Sequence, residues 1–287
     1  NARARENQWG FVDFNRPMVA INQWEQAEDS MYTLCGKDRI HPSTDGHLVM
    51  AYLFLKAQGL AGKPVADIRI DGAGKKVTRS DNCRVSDLSV SSDNLTFTYE
   101  AKSLPYPIDT SYYDNEKHTQ ADALSVIPFM DEMNYEGLSV SGLSDGYYGL
   151  TIGGEFIGRF TARELERGIN MALLQNTPQY KQAMKIRQMN EERWLKERKM
   201  REFYWVEYNL MRKTGMLWAC NEAAVDTLRK YRPHDIFLQW NGDLWLQYMH
   251  KGIREDCVNE QQDLVNQIYE QNKPIPLRIE IKKFTDL

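Results

Sequence analysis

Residues 38–58 read DRIHPSTDGHLVMAYLFLKAQ, a polar turn that runs directly into an apolar stretch. The apolar residues recur at the spacing of one helix face, i, i+4 and i+7: Leu48, Tyr52 and Leu55. Gly59 follows as a natural helix stop. The stretch therefore predicts a helix over Leu48–Gln58 that a turn-rich segment feeds.

Asp38 and His41 give that turn its chemical interest. An imidazole is a good general base near neutral pH when a carboxylate fixes its tautomer. Two residues three apart can meet in a tight turn, and Pro42 favours extended backbone at His41. The D-x-x-H spacing alone fits equally a capping aspartate beside a surface histidine. From spacing, both interpretations are open.

The wider stretch, from Asp38 through Gly46-His47 into Met50–Leu55, closely resembles the last conserved block of the GDSL/SGNH hydrolases, D-G-x-H-P-[ST]-x-x-G-H. The resemblance implies a three-layer α/β/α fold and cleavage of esters, often acetyl or acyl esters of carbohydrates. It makes His41 the general base and Asp38 its orienting carboxylate, and it gives His47 a packing and helix-capping role. Arg39 stands where the pattern often has glycine.

The nucleophile of that family has no counterpart here. Neither G-D-S nor G-x-N-D occurs in the 287 residues, and Asn241-Gly-Asp243 lies in the wrong order. Without the nucleophilic serine no acyl-enzyme can form, and without the oxyanion donors about 3–4 kcal/mol of transition-state stabilisation is lost. The expectation is a fragment, inert alone, whose serine, glycine and asparagine blocks belong to the N-terminal piece of the same precursor.

The first residues support the same expectation. They are interpreted as the end of an amphipathic helix, an interior strand, a turn and a helical patch that Gly36 ends: Asn1–Gln8, Trp9–Phe14, Asn15–Pro17 and Trp24–Leu34. No signal peptide is visible. Family resemblance alone makes the protein an exported one, periplasmic or extracellular.

The predicted fold class is α/β in three parts. Residues 1–62 are the C-terminal portion of an SGNH-type domain, 63–160 a small β-rich, sandwich-like domain, and 161–287 a helical region with a short closing strand. The β-rich part has strand-like segments at Lys63–Ile70, Val85–Tyr99 and Tyr147–Phe160, with hairpin turns at Ser91–Asn94 and Gly153-Gly154. Between them, Leu104–Ile108 and Tyr112–Thr119 are predicted to form a long exposed loop.

The helical part opens at Thr161–Glu164, a capping box in which two residues satisfy each other's free backbone donors. The longest helix is predicted over Tyr180–Met211. Nine of the twelve residues from Glu191 to Glu202 are charged, which is typical of a solvated helix face. A helix near Ile253–Glu270 and a strand at Leu277–Phe284 close the chain.

Composition excludes several classes of protein. With 36 Lys+Arg against 40 Asp+Glu the formal net charge is −4, so no basic footprint for nucleic acid exists. The longest apolar run, Leu48–Leu55, falls far short of the ~20 residues of a membrane-spanning helix. No zinc-type cysteine spacing is present, and neither a metal nor a cofactor is expected. Spacing leaves the disulfide state of the four cysteines open: Cys35, Cys83, Cys220 and Cys257.

Other chemically active residues have simpler explanations. Asp131, Glu132 and Glu136 could act as acid and base, but an acidic turn before a strand is commoner. His234-Asp235 and His250 lack metal-ligand spacing. Five tryptophans could stack on sugar rings, although core packing is commoner: Trp194, Trp205, Trp218, Trp240 and Trp245. The substrate class is a small-molecule or carbohydrate ester; the alternative to a hydrolase is a non-catalytic module that binds carbohydrate or protein.

Overall fold

A computed structural model describes residues 2–111 and 118–284. The chain divides into two compact units: the first is Asn1–Ala183 with Pro274–Leu287, and the second is Met184–Lys273. The fold is mixed α/β, with two sheets in the first unit and helices throughout. The predicted three-part division at residues 62 and 160 stays a prediction.

Three helices precede the first strand: α1 (Ala2–Glu6), α2 (Asn15–Glu25) and α3 (Thr44–Ala57). The helix predicted over Leu48–Gln58 is confirmed as α3, and Gly59 follows it with φ of 73°. One face of α3 packs into a core that includes Leu34, Ile108 and Phe129. A short helix, α4 (Phe129–Glu132), belongs to the same core.

Three predictions near the start are wrong. Trp9–Phe14 is not a strand: it pairs with none of the described strands, and the side chains of Trp9 and Phe11 are 65% and 52% exposed. Asn15–Pro17 is the first turn of α2 rather than a loop, since proline is tolerated in a helix's first turn. The helical patch predicted at 24–34 lies too late, because α2 already ends at Glu25.

Within residues 2–111 and 118–284, nine strands build two sheets. They are β1 (Ala66–Asp71), β2 (Lys76–Asp81), β3 (Cys83–Val90), β4 (Asn94–Ala101), β5 (Glu136–Ser141), β6 (Tyr147–Ile152), β7 (Glu155–Thr161), β8 (Ile169–Asn170) and β9 (Leu277–Lys283). One sheet has the order β2-β1-β5-β8 and the other β3-β4-β9-β6-β7. Among the strands of the described residues, β1 and β5 alone pair in parallel. Both predicted hairpins, β3–β4 and β6–β7, are confirmed.

The two sheets share one hydrophobic core, as a sandwich does. Alternate residues of β4 point inward, so Leu95, Phe97 and Tyr99 are buried and their neighbours are not. The other sheet supplies Ile68 and Leu138 to the same cluster. This period of two is what the sequence predicted for the β-rich part.

The closing strand β9 lies in the middle of the five-stranded sheet. It pairs antiparallel with β4 on one side and with β6 on the other. The ladder partners of β9 lie more than 120 residues back along the chain. The sequence pattern could therefore predict the strand but not its place in the sheet.

The segment after β4 is not an exposed loop throughout. Pro107, Ile108 and Asp109 are buried, and the Tyr180 hydroxyl donates to the Ile108 carbonyl at 2.8 Å. The side chain of Asn134 holds both the N–H and the carbonyl of Tyr106. Most of the predicted loop 112–119, residues 112–117, lies outside the described residues.

The capping box at Thr161 is confirmed and starts α5 (Ala162–Arg167). The remaining helices are α6 (Pro178–Val206), which a five-residue π-helix (Glu207–Met211) extends, α7 (Glu222–Tyr231), α8 (Ile236–Tyr248) and α9 (Lys251–Gln271). The predicted 180–211 helix and the closing helix are thus confirmed. The charged run is a solvated face with ion pairs such as Glu197–Arg201, 2.9 Å.

The second unit has its own core, centred on the completely buried Trp245. Its indole N–H donates to the buried carboxylate of Glu207 at 2.8 Å, and the backbone N–H of Trp218 donates to the other oxygen at 2.8 Å. Trp218 has a φ of +63° to make that contact. Glu207 thereby ties the π-helix to the loop after it.

All four cysteines are free thiols, which answers the open disulfide question. None of the helices in the described ranges has the length and hydrophobicity that a bilayer crossing requires.

Glu136, at the start of β5, is a buried carboxyl. The Tyr99 hydroxyl donates to it at 2.8 Å, and the amide of Gln179 lies 3.3 Å from both of its oxygens. Burial raises the pKa of Glu136 to about 7. The carbonyl oxygen of Gln179 has no partner among the described residues, so a rotated amide would accept the proton of neutral Glu136.

Stability should therefore depend on pH through Glu136. Because its folded pKa is raised above the ordinary 4.5, its contribution is complete below pH 4.5 and is lost as pH rises through about 7. We expect the free energy of unfolding of Glu136→Gln to match that of the wild type near pH 5. At pH 8 we expect it to exceed the wild-type value by up to roughly 3 kcal/mol. Denaturant melts at both pH values measure this, with exposed Glu28→Gln as control; parallel pH curves for all three proteins would contradict it.

Candidate functional site

The predicted Asp38–His41 turn forms the tip of a short loop. At its base, the N–H of Gly36 donates to the His41 carbonyl at 2.8 Å, and Cys35 and Pro42 form an antiparallel bridge. Pro42 suits this extended position, as the sequence predicts. These contacts close the loop at its base, so residues 37–40 form the turn between the two arms and His41 stands at its end.

The carboxylate of Asp38 organises that turn. One oxygen accepts the backbone N–H groups of Ile40 and His41, at 2.9 and 3.1 Å. The other lies 2.5 Å from His41 Nδ1. These hydrogen bonds, with the imidazole contact the largest, lower the pKa of Asp38 to about 2. Asp38 is therefore ionised across the physiological range and fixes the imidazole with Nε2 pointing away from it.

Arg39 occupies the position where the family pattern often has glycine, and its backbone explains that preference. Its φ is +55°, in the left-handed region that glycine adopts without steric cost. Arginine is accepted there at a cost of about 1–2 kcal/mol. The departure from the pattern leaves the Asp38–His41 contact in place.

The start of α3 fixes the loop from below. Both the N–H and the hydroxyl of Ser43 lie 3.1 Å from the Leu34 carbonyl. A Cβ at Gly46 would lie 2.0 Å from the same oxygen. Glycine at position 46 is therefore required for α3 to approach residue 34 closely enough to hold the turn.

The serine nearest to His41 in sequence is not a nucleophile. Ser43 is 2% exposed, and its hydroxyl is bound by Leu34 and by the buried carboxylate of Asp45. Asp45 also lies 3.6 Å from the imidazole of His118, a contact that sequence spacing did not indicate. His47 is exposed on the first turn of α3, so the packing role expected for it is wrong.

The imidazole of His41 is exposed to solvent. Its side chain is 83% exposed, and that of Asp38 47%. Neither residue lines any of three clefts on the described surface, one of which, about 440 Å³ in volume, has Trp9 and Phe11 in its wall. The dyad has the geometry of a base with its orienting carboxylate, and it faces no hydroxyl of the described residues that could serve as nucleophile.

The alternative acid–base residues have structural partners. Glu132 accepts from Tyr52 and Lys56 and joins α4 to α3. Glu136 is enclosed in the core described above. Neither opens to a cleft, so the structure does not bring the acidic cluster together as a catalytic pair.

The histidines of the second unit form no metal site. Asp235 caps α8 by accepting two backbone N–H groups. His250 lies 3.4 Å from the exposed thiol of Cys220, a pairing that the sequence did not reveal. Within the described ranges, no three His, Cys, Asp or Glu side chains are grouped as metal ligands would be.

Core packing explains only one of the five tryptophans fully. Trp245 is completely buried, but Trp194, Trp218 and Trp240 are 46%, 46% and 67% exposed. The expectation that these indoles fill the core is wrong for those three, because the helices that carry Trp194 and Trp240 and the loop that carries Trp218 turn the rings toward solvent.

The chain is similar to one solved structure and to one protein family. The structure is similar to BT4096, described as a gut microbial diltiazem-metabolizing enzyme, with a TM-score of 0.92 and 42% sequence identity. The match covers 99% of this chain and 64% of that one, so this chain spans less than two thirds of the enzyme. Residues 184–273 match the family described as the diltiazem deacetylase C-terminal helical domain. No curated protein matches the chain.

Gly46→Ala should test how the turn is held. The added methyl group must displace the Leu34 carbonyl or α3, a clash of the kind that costs about 1–3 kcal/mol or more. We expect a lower melting temperature by several degrees, measured by circular dichroism. Gly252→Ala in α9, where nothing lies within 4 Å, is the control and should leave stability unchanged or higher. Equal melting of both variants would contradict the close approach.

Proposed function

We propose that this chain is the C-terminal part of an SGNH-type serine ester hydrolase, with His41 as general base and Asp38 as its orienting carboxylate. The observation that carries the proposal is the 2.5 Å contact between His41 Nδ1 and Asp38, which leaves Nε2 exposed. The similarity to a diltiazem-metabolizing enzyme and to a deacetylase domain supports ester cleavage as the reaction.

In the proposed reaction, a serine hydroxyl attacks the ester carbonyl while Nε2 of His41 takes the hydroxyl proton. The imidazolium that forms is stabilised by ionised Asp38 and then protonates the leaving alcohol. Water repeats the sequence on the acyl-serine and releases the acid. Asp38 does not itself change protonation, as its pKa of about 2 requires.

The serine, the oxyanion glycine and the asparagine are proposed to come from polypeptide outside these 287 residues. Exposed apolar side chains between residues 9 and 54 are consistent with a further layer that covers them: Trp9, Phe11, Trp24, Ile40 and Phe54. Ile40, inside the turn itself, is 75% exposed. A three-layer fold with a sheet against this surface would bury these residues and bring the nucleophile to Nε2.

The substrate is proposed to be a small acyl ester, in the first instance an acetyl ester. The name of the matching family, diltiazem deacetylase, supports an acetyl group and makes diltiazem a direct probe. A carbohydrate as the alcohol portion, and export to the periplasm or outside the cell, rest on the family resemblance alone. The carbohydrate portion and the export are part of the proposal, and each needs an experiment other than the one that identifies the acyl group.

His41→Ala in the full-length protein should lower kcat for p-nitrophenyl acetate or diltiazem by on the order of 10³ or more, because the hydroxyl loses its base. His47→Ala, which removes the exposed second histidine of the same block, is the control and should keep kcat. The 287-residue chain alone should not cleave either ester. Unchanged turnover in His41→Ala, or turnover by the chain alone, would overturn the assignment.

The rate should depend on pH in one direction. An imidazole base must be neutral, so kcat/KM should rise between about pH 5 and 8. Asp38, with a pKa of about 2, contributes no ionisation in that window. Asp38→Asn should lower kcat by about 10²-fold or more, because the amide stabilises the wrong tautomer. A pH-independent rate from 5 to 8 would exclude the imidazole base.

A further inference from the structure

One face of α6 in the second unit carries a row of large side chains at the spacing of adjacent helical turns. Trp194, Arg198, Arg201 and Trp205 lie at i, i+4, i+7 and i+11, so they share that face. Together with Glu202 and Asn241 of α8 they line a cleft of about 270 Å³. Tryptophan thus forms both ends of the row.

Two further rings extend this aromatic surface along α8. Phe237 lies 5.2 Å from Trp205, and Trp240 lies 5.4 Å from Phe237, between ring centroids. Phe237 is 49% exposed and Trp240 67%. Contiguous exposed aromatic surface of this kind on a folded helical unit marks an interaction site.

Of these rings, only Trp205 packs against the core of the unit, where it is partly buried. The buried residues of that core on α6 are Met200, Phe203 and Val206, and its buried indole is that of Trp245. Trp194 is held at the surface by Arg201, whose guanidinium lies 5.5 Å from the ring centroid. The indole thus has a cation–π partner while it is 46% exposed.

Both arginines of the cleft are paired with carboxylates. Arg198 bonds Glu202 of the lining at 2.7 Å, and Arg201 bonds Glu197, which lies outside the lining, at 2.9 Å, so a neighbouring carboxylate balances each guanidinium charge. An anionic ligand would need an excess of cations, and an apolar peptide would leave these groups desolvated. A neutral ligand rich in hydroxyl groups can accept from the guanidinium groups and donate to the carboxylates, while its apolar face covers an indole.

We propose that this cleft binds neutral pyranose rings of an oligosaccharide. Trp194 and Trp205 are eleven residues apart, about 16 Å along the helix axis, so the two indoles form separate stacking positions for different rings of one chain. Arg198, Glu202 and Asn241 supply hydrogen bonds between them. This binding site is independent of ester cleavage and would exist whether or not the dyad of the first unit is catalytic.

The test is affinity electrophoresis of the full chain in gels that contain soluble neutral polysaccharides: galactomannan, glucomannan, xyloglucan, dextran and mixed-linkage β-glucan. We expect retardation by at least one of them. Titration calorimetry with oligosaccharides of that polymer should show affinity that rises with length beyond one ring and that changes little between 50 mM and 500 mM salt.

Trp194→Ala should weaken that affinity at least 10-fold, and Trp240→Ala should weaken it less. Trp24→Ala removes an 80% exposed indole of α2 and is the matched control, which should bind as the wild type does. Circular dichroism melts check that each variant is folded. Equal loss in Trp194→Ala and Trp24→Ala overturns the proposal.

Three other results would also overturn it. The first is the absence of retardation in all five neutral gels. The second is binding to polygalacturonate alone with strong salt dependence, which would mean an anion site. The third is a dimer that Trp194→Ala dissociates without any glycan binding, which would make the face a contact between copies. Because no ester is cleaved in these measurements, their outcome is separate from that of the His41 experiments.

Discussion

The carbonyl of Leu34 is the contact on which the proposed catalytic turn depends. It accepts from Ser43, which starts α3, and it lies where any side chain at position 46 would stand. The close approach fixes the two arms of the loop, and the loop fixes the separation of Asp38 and His41. The dyad is thus positioned by backbone atoms, and its two side chains need only to complete a turn that is already formed.

Buried carboxylates hold several parts of the molecule together in the same manner. Asp45 accepts a hydrogen bond from Ser43 at the start of α3, and Glu136 accepts one from the hydroxyl of Tyr99 in the first unit. In the second unit, Glu207 accepts hydrogen bonds from the indole N–H of Trp245 and from the backbone N–H of Trp218. Each such group is costly when unpaired, so its partners are specified as strictly as a packed side chain. Two of the partners, Tyr99 and Trp245, are themselves among the large buried residues.

The two units differ in what their surfaces imply. In the first, the exposed rings of Trp9 and Phe11 adjoin segments with no regular secondary structure, and the imidazole of His41 faces no nucleophile among the described residues. In the second, the exposed indoles of Trp194 and Trp240 lie on well-formed helices, and paired charges lie beside Trp194. The first surface fits the proposal of a site completed by other polypeptide, and the second fits the proposal of a site that binds a ligand by itself.

The sequence by itself determined the local elements: α3 and its glycine stop, the two hairpins, the capping box, the long charged helix, and the acid and imidazole at positions 38 and 41. These follow from periodicity, turn residues and spacing, which act over a few residues. Tertiary structure alone decided that β9 pairs in the middle of a distant sheet, that Trp9–Phe14 forms no strand, that Glu136 is buried, and which tryptophans face solvent. Those outcomes depend on which surfaces meet, and pairing and burial between residues far apart in the chain leave no periodic signal in it.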